Sequence, residues 1–153
     1  MLRELVNHRD TKAADANYEA ATATVDVNIV KASQPALIAS ATPTSLQFLA
    51  TATLATSGGA GSGPVNFAVT AGGSACSVSG ATLTAVGVGT CTVTATKGGD
   101  INYNDAIATV DVTVTKAAQI ALTAQATPSS LSYGQTAQLS AQGGSGTGTV
   151  TYA

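Results

Sequence analysis

The chain repeats itself at a spacing of 85 residues. Thr11–Ala68 lies over Thr96–Ala153 without a gap, and 31 of the 58 aligned pairs are identical. TKAADANYEAATATVDVNIVKA becomes TKGGDINYNDAIATVDVTVTKA, and ATPTSL becomes ATPSSL. Self-similarity at a fixed period is the mark of modules built one after another. The phase of the repeat gives the organisation. Residues 32–117 hold one whole module, residues 11–31 the closing strands of a module before it, and residues 118–153 the opening strands of one after. Met1–Asp10 has no counterpart, because the stretch it would match is VGVGTCTVTA, Val86–Ala95. It carries charges but no apolar h-region, so it is not a secretion signal. It reads as a non-native start, a gene-call artefact or a local replacement, and the whole as a piece of, or descendant of, a longer array.

Composition narrows the function classes. Only 9% of residues are charged and the net charge is −2. Six scattered basic residues form no patch, which speaks against nucleic acid as a partner. Aromatic residues make up 4% of the chain and Trp is absent, a poor basis for stacking bases or sugars. No apolar run reaches the length of a membrane-spanning helix, so no membrane insertion is expected.

Period-two alternation recurs along the chain. Val110, Val112 and Val114 point one way while Asp111, Thr113 and Thr115 point the other; Cys91, Val93 and Ala95 point inward from Thr90–Thr96. Strands are predicted near Ala36–Ala41, Ala50–Thr56, Val65–Thr70, Ala75–Val78, Thr82–Val86, Gly89–Lys97 and Ala108–Lys116. The turns between them are rich in Gly, Asn or Asp. Seven short strands with such punctuation imply an all-β, antiparallel sandwich.

Cys76 and Cys91 fall on expected strands. Neither belongs to a C-x-x-C pair and the one histidine, His8, is remote, so a zinc site is not supported. A disulfide closing a loop of about 15 residues would add roughly 3 kcal/mol through the unfolded state. Two buried thiols are the alternative reading.

The stretch SVSGATLTAVGVGTCTVTATKGGDINYNDAIATVDVTV resembles the C-terminal half of bacterial immunoglobulin-like (Big-type) repeats of large surface adhesins and invasin- or intimin-like proteins. The features that carry the likeness are G-T-x-x-V-T-A (Gly89, Thr90, Val93, Thr94, Ala95) and the D-x-N-Y loop (Asp100, Asn102, Tyr103). The resemblance implies tandem immunoglobulin-like sandwiches with an extracellular, mostly structural role.

Asp100, Asn102, Asn104 and Asp105, with Asp111 downstream, space oxygen ligands in a way that suggests a calcium loop. The sixth position is Asp105 rather than Gly, and an Asx-type turn explains the same residues without metal. Tyr18 and Tyr103 occupy one repeat position and are expected to anchor their loops, ring against the core edge and hydroxyl to backbone. Phe48, Phe67, Tyr133 and Tyr152 read as strand residues, which argues against a carbohydrate- or receptor-binding surface. No nucleophile–base set or paired carboxylates appear, so neither enzyme activity nor a cofactor is expected. The leading expectation is a spacer module of a bacterial surface protein. The alternatives are a filament subunit, joined to neighbouring copies head to tail through the partial modules at its two ends, and a carbohydrate- or receptor-binding module.

Overall fold

A computed structural model describes residues 4–153 of the chain. The described residues form twelve strands and no helix. They divide into two compact units, one ending at Thr115 and the other beginning at Lys116. The strands of the first are β1 (Glu4–Lys12), β2 (Ala21–Ile29), β3 (Leu37–Thr42), β4 (Ser45–Gln47), β5 (Thr51–Gly58), β6 (Val65–Ala71), β7 (Cys76–Ser79), β8 (Thr82–Ala85), β9 (Gly89–Lys97) and β10 (Ala106–Thr115). The second unit holds β11 (Leu122–Thr127) and β12 (Gln138–Gly143).

β3 to β10 build a two-sheet sandwich. One sheet runs β3-β5-β8-β7 and the other β4-β10-β9-β6. The alternation read from the sequence sets the core between them. Cys91, Val93 and Ala95 on β9, and Val112 and Val114 on β10, are buried, while Asp111, Thr113 and Thr115 stay exposed. Ala41, Ala52, Leu54, Leu83 and Ala85 meet them from the opposite sheet. Outward Thr residues suit the pleat because their β-branch restricts the side chain at little cost there. The core is built from Ala, Val, Leu and Cys with no fully buried aromatic, so it is thin, and a covalent tie supplements it. Cys76, opening β7, and Cys91, on β9, form a disulfide that joins the two sheets, with their Cα atoms 6.2 Å apart.

One strand escapes the sequence pattern. β4 is three residues long, and it pairs in parallel with β10, Ser45 to Thr113 and Gln47 to Thr115. The sandwich is therefore antiparallel except at this edge. Thr42–Pro43, just before β4, is a cis peptide bond, as is Thr127–Pro128 at the same repeat position.

The repeat is kept in register as well as in sequence. β11 pairs with β12 from Leu122–Gly143 to Thr127–Gln138, which is the β3–β5 ladder (Leu37–Gly58 to Thr42–Thr53) moved on by 85 residues. The β1–β2 hairpin reproduces β9–β10: Lys12 faces Ala21 and Glu4 faces Ile29, as Lys97 faces Ala106 and Gly89 faces Val114. The boundary drawn between a head at residues 1–10 and closing strands from residue 11 thus falls inside β1. Residues without any identity to β9 continue its ladder. Even a cross-strand bond recurs: Asn7 donates to Asp26 at 2.7 Å where Thr92 donates to Asp111 at 2.7 Å.

A turn after β4 explains a misplaced group of aromatics. Leu49 has φ 71°, and its repeat partner Gly134 has φ 83°. This left-handed residue reverses the chain, so Phe48 and Tyr133 sit on turns rather than strands, Tyr133 fully exposed. Tyr152 also lies outside any strand, and only Phe67, on β6, is where the sequence placed it. The left-handed region costs a non-glycine residue about 1–2 kcal/mol, while glycine there costs about 0.4–1 kcal/mol in unfolded-state entropy. Leu49 is mostly exposed, so its side chain contributes little burial. Leu49→Gly is therefore expected to leave stability unchanged or raise it by about 1 kcal/mol in a denaturant titration; a loss greater than that would contradict the strain assigned to this turn.

Candidate functional site

The densest polar network lies where the chain enters the sandwich. Segment 31–35 runs past the D-x-N-Y loop between β9 and β10, and the two are bonded like a short ladder. Ala32 N–H donates to Asn102 O at 2.8 Å and Asn104 N–H donates to Ala32 O at 2.9 Å, with Ala32 paired in parallel with Tyr103. The Asn104 side chain adds a longer contact to Lys31 O at 3.4 Å.

Gln34 ties this entry to two loops at once. Its Nε2 donates to Asn104 O at 2.8 Å and, more weakly, to Lys97 O and Gly98 O at 3.3 Å each. Its Oε1 accepts from Ala60 N–H at 3.1 Å and Gly61 N–H at 3.0 Å. The side-chain amide thereby joins backbone groups of the β5–β6 loop to those of the β9–β10 loop and the end of β9. Sequence reasoning passed over this residue. The one signal that points to it is recurrence, since Gln119 stands 85 residues on. There Oε1 again accepts from the loop, from Ser145 N–H at 3.3 Å and Gly146 N–H at 3.5 Å.

Asp100 binds the same two loops from the other side. Oδ1 accepts from Asn102 N–H at 2.8 Å and Tyr103 N–H at 2.9 Å, an Asx turn, while Oδ2 accepts from Ser62 N–H at 2.9 Å and Ser62 Oγ at 3.3 Å. The donors, Ser62 N–H foremost, hold its carboxyl below the ordinary value of 3.8. Asp15 makes the same turn with Asn17 and Tyr18 in the first copy.

The carboxylates among the calcium candidates are thus engaged with protein donors. Both oxygens of Asp100 are occupied, Asp105 Oδ1 accepts from Gly99 N–H at 2.7 Å, and Asp111 faces Thr92 across the ladder. Asn104 is turned to Lys31 O, and Asn102 contributes backbone groups. No cluster of three or more His, Cys, Asp or Glu suited to a metal occurs among the described residues. Tyr103 anchors its loop through backbone: it pairs with Ala32, and its N–H and C=O both bond to Asp100. Its ring is half-buried, whereas Tyr18 is 76% exposed. Among the described residues neither hydroxyl has a protein partner.

Chemically the arrangement fastens one stretch of backbone to another. Comparison with protein-family models, with curated proteins and with solved structures returns no match for the chain.

Two outcomes follow from this network. Gln34→Met, close in volume but without polar atoms, should cost about 2–3 kcal/mol in urea unfolding through its lost hydrogen bonds, whereas Gln119→Met should cost less than about 1 kcal/mol. A carboxyl whose folded value is depressed stabilises the fold above its unfolded value, and that contribution is lost as pH falls through the folded one. Wild type should therefore lose stability as the pH drops below about 4, and Asp100→Asn, compared across the same acid titration, should lose less over that range.

Proposed function

We propose that the chain is a structural spacer: tandem immunoglobulin-like sandwich modules of a bacterial surface protein, which hold a neighbouring element at a distance and perform no chemistry. The observation that carries this reading is the fastening of the module's entry. Segment 31–35 is bonded to the β9–β10 loop along its backbone, and through Gln34 to the β5–β6 loop as well. A joint of a few residues secured in this way transmits force and direction, which is what a stalk requires and a flexible tether lacks.

Three further features support it. The strand orders β3-β5-β8-β7 and β4-β10-β9-β6 fit the two-sheet immunoglobulin plan, the first being its A-B-E-D sheet. The disulfide suits an oxidising compartment outside the cytoplasm. The polar clusters are spent on backbone rather than held open toward a cleft. The likeness to Big-type adhesin repeats agrees with all three.

A fragment of residues 32–117, oxidised, is expected to unfold in one cooperative transition and to give no selective signal on a glycan array. A fragment without cooperative unfolding would place the module boundaries wrongly, and a selective glycan would replace the spacer reading with recognition.

A further inference from the structure

We propose that segment 31–35 is a releasable strap, a unit that leaves the sandwich while the sandwich stays folded, so that tension turns a stiff joint into a slack one. The proposal rests on the stalk reading above and sets a limit on the stiffness of the joint.

The strap is held by polar contacts alone. Lys31, Ala32, Ser33 and Pro35 are exposed, Gln34 is half-buried, and none of them belongs to the hydrophobic core. Both backbone–backbone bonds fall on one residue: Ala32 N–H donates to Asn102 O, and Ala32 O accepts from Asn104 N–H. Apart from the long contact of the Asn104 side chain with Lys31 O, the other bonds all come from the Gln34 side chain. Water replaces an exposed hydrogen bond at little net cost, so a segment tied in this way opens more readily than the core. The sandwich proper begins after it. The β3–β5 ladder starts at Leu37 and Gly58, and the first core residue along the module is Ala41.

The seat of the strap keeps its shape without it. Ser62 donates to Asp100 Oδ2 through both N–H and Oγ, and Gly98 N–H donates to Pro64 O at 2.8 Å. The β5–β6 and β9–β10 loops are therefore tied to each other independently of Gln34. Their backbones also meet closely, since a Cβ at Gly63 would run into Gly98 O. The Asx turn at Asp100 fixes Asn102 and Tyr103, where Ala32 lands. Ala60 N–H, Gly61 N–H and the carbonyls of Lys97, Gly98 and Asn104 thus stay in place to take the same side chain back. The strap has two arrangements, docked and free, and the disulfide-tied sandwich is common to both. Docking adds to the stability of the module, while release leaves its core covered.

Tension meets the strap first. A pull on the chain ahead of the module reaches Ala32 and Gln34 before β3, and the β4–β10 pair after that. Ala32 offers a single rung, whereas β4 and β10 pair over three residues with Leu46 and Val114 buried behind them. Release frees residues 31–36 and lengthens the joint by at most about 2 nm.

Hydrogen exchange of the full 153-residue chain, followed across low denaturant concentrations, tests the strap. The amides of Ala32, Gly61 and Asn104 should exchange at least about a hundredfold more slowly than in unstructured chain, and at least about tenfold faster than those of β9 and β10. Their rates should barely respond to denaturant, because the opening exposes little surface. Gln34→Met should speed exchange at Ala32 and Asn104 about thirtyfold, although neither amide bonds to the Gln34 side chain. Pulled through handles at Val30→Cys and Ala117→Cys, the chain should show a reversible lengthening of at most about 2 nm before the sandwich ruptures. Strap and β9 amides exchanging in one transition, unprotected strap amides, an unaltered rate in Gln34→Met, or rupture without the earlier step would overturn the proposal. The glycan array and the cooperative unfolding of the 32–117 fragment are read separately, so a strap that never opens and a failed stalk reading are told apart.

Discussion

A sheet with one apolar face is stable only when something covers that face, and this requirement organises the molecule. In residues 32–117 the cover is a second sheet, and the small residues Ala, Val and Cys let the two approach over a thin core. A thin core supplies limited hydrophobic free energy, about 25 cal/mol for each Å² of apolar surface removed from water. The cross-sheet disulfide and the bonded entry segment therefore carry more of the fold than they would in a larger sandwich. Elsewhere the same face is built to the same register and left open.

Much of the sandwich was legible because alternation and turn chemistry are local. β9 was read to its ends, and β6, β8 and β10 to within one or two residues, since each alternates cleanly between Gly- or Asn-rich turns. β4 was not legible. Its three residues are too few to alternate, and its partner on β10 lies 68 residues on, as Ser45 pairs with Thr113. The aromatics after it were misplaced for a related reason: the reversal depends on a left-handed residue, and at Leu49 the sequence shows no glycine to announce it. The entry network was the least legible part. Gln34 acts on backbone carbonyls and amides, which carry no residue identity, so only the recurrence of glutamine marks it.

The hairpin β1–β2 shows how far sequence can move while a ladder stays put. Between Glu4 and Asp10 nothing is shared with β9, yet pairing continues without a bulge, because an antiparallel ladder is made by backbone. What the side chains decide is the character of the face. Val6 keeps it apolar at one end, while His8 and Asp10, 3.1 Å apart, make it polar at the other.

The parallel edge pair has a mechanical consequence. β4 lies near the start of the sandwich and β10 ends it, and the two run the same way. Tension between the module's first and last residues pulls these strands in opposite directions along their length. Phe48 N–H to Thr115 O, Thr113 N–H to Thr44 O and Thr115 Oγ1 to Leu46 O then bear the load together in shear, instead of opening one after another. A three-residue strand that alternation could not reveal thus sits where such a pull is borne in shear.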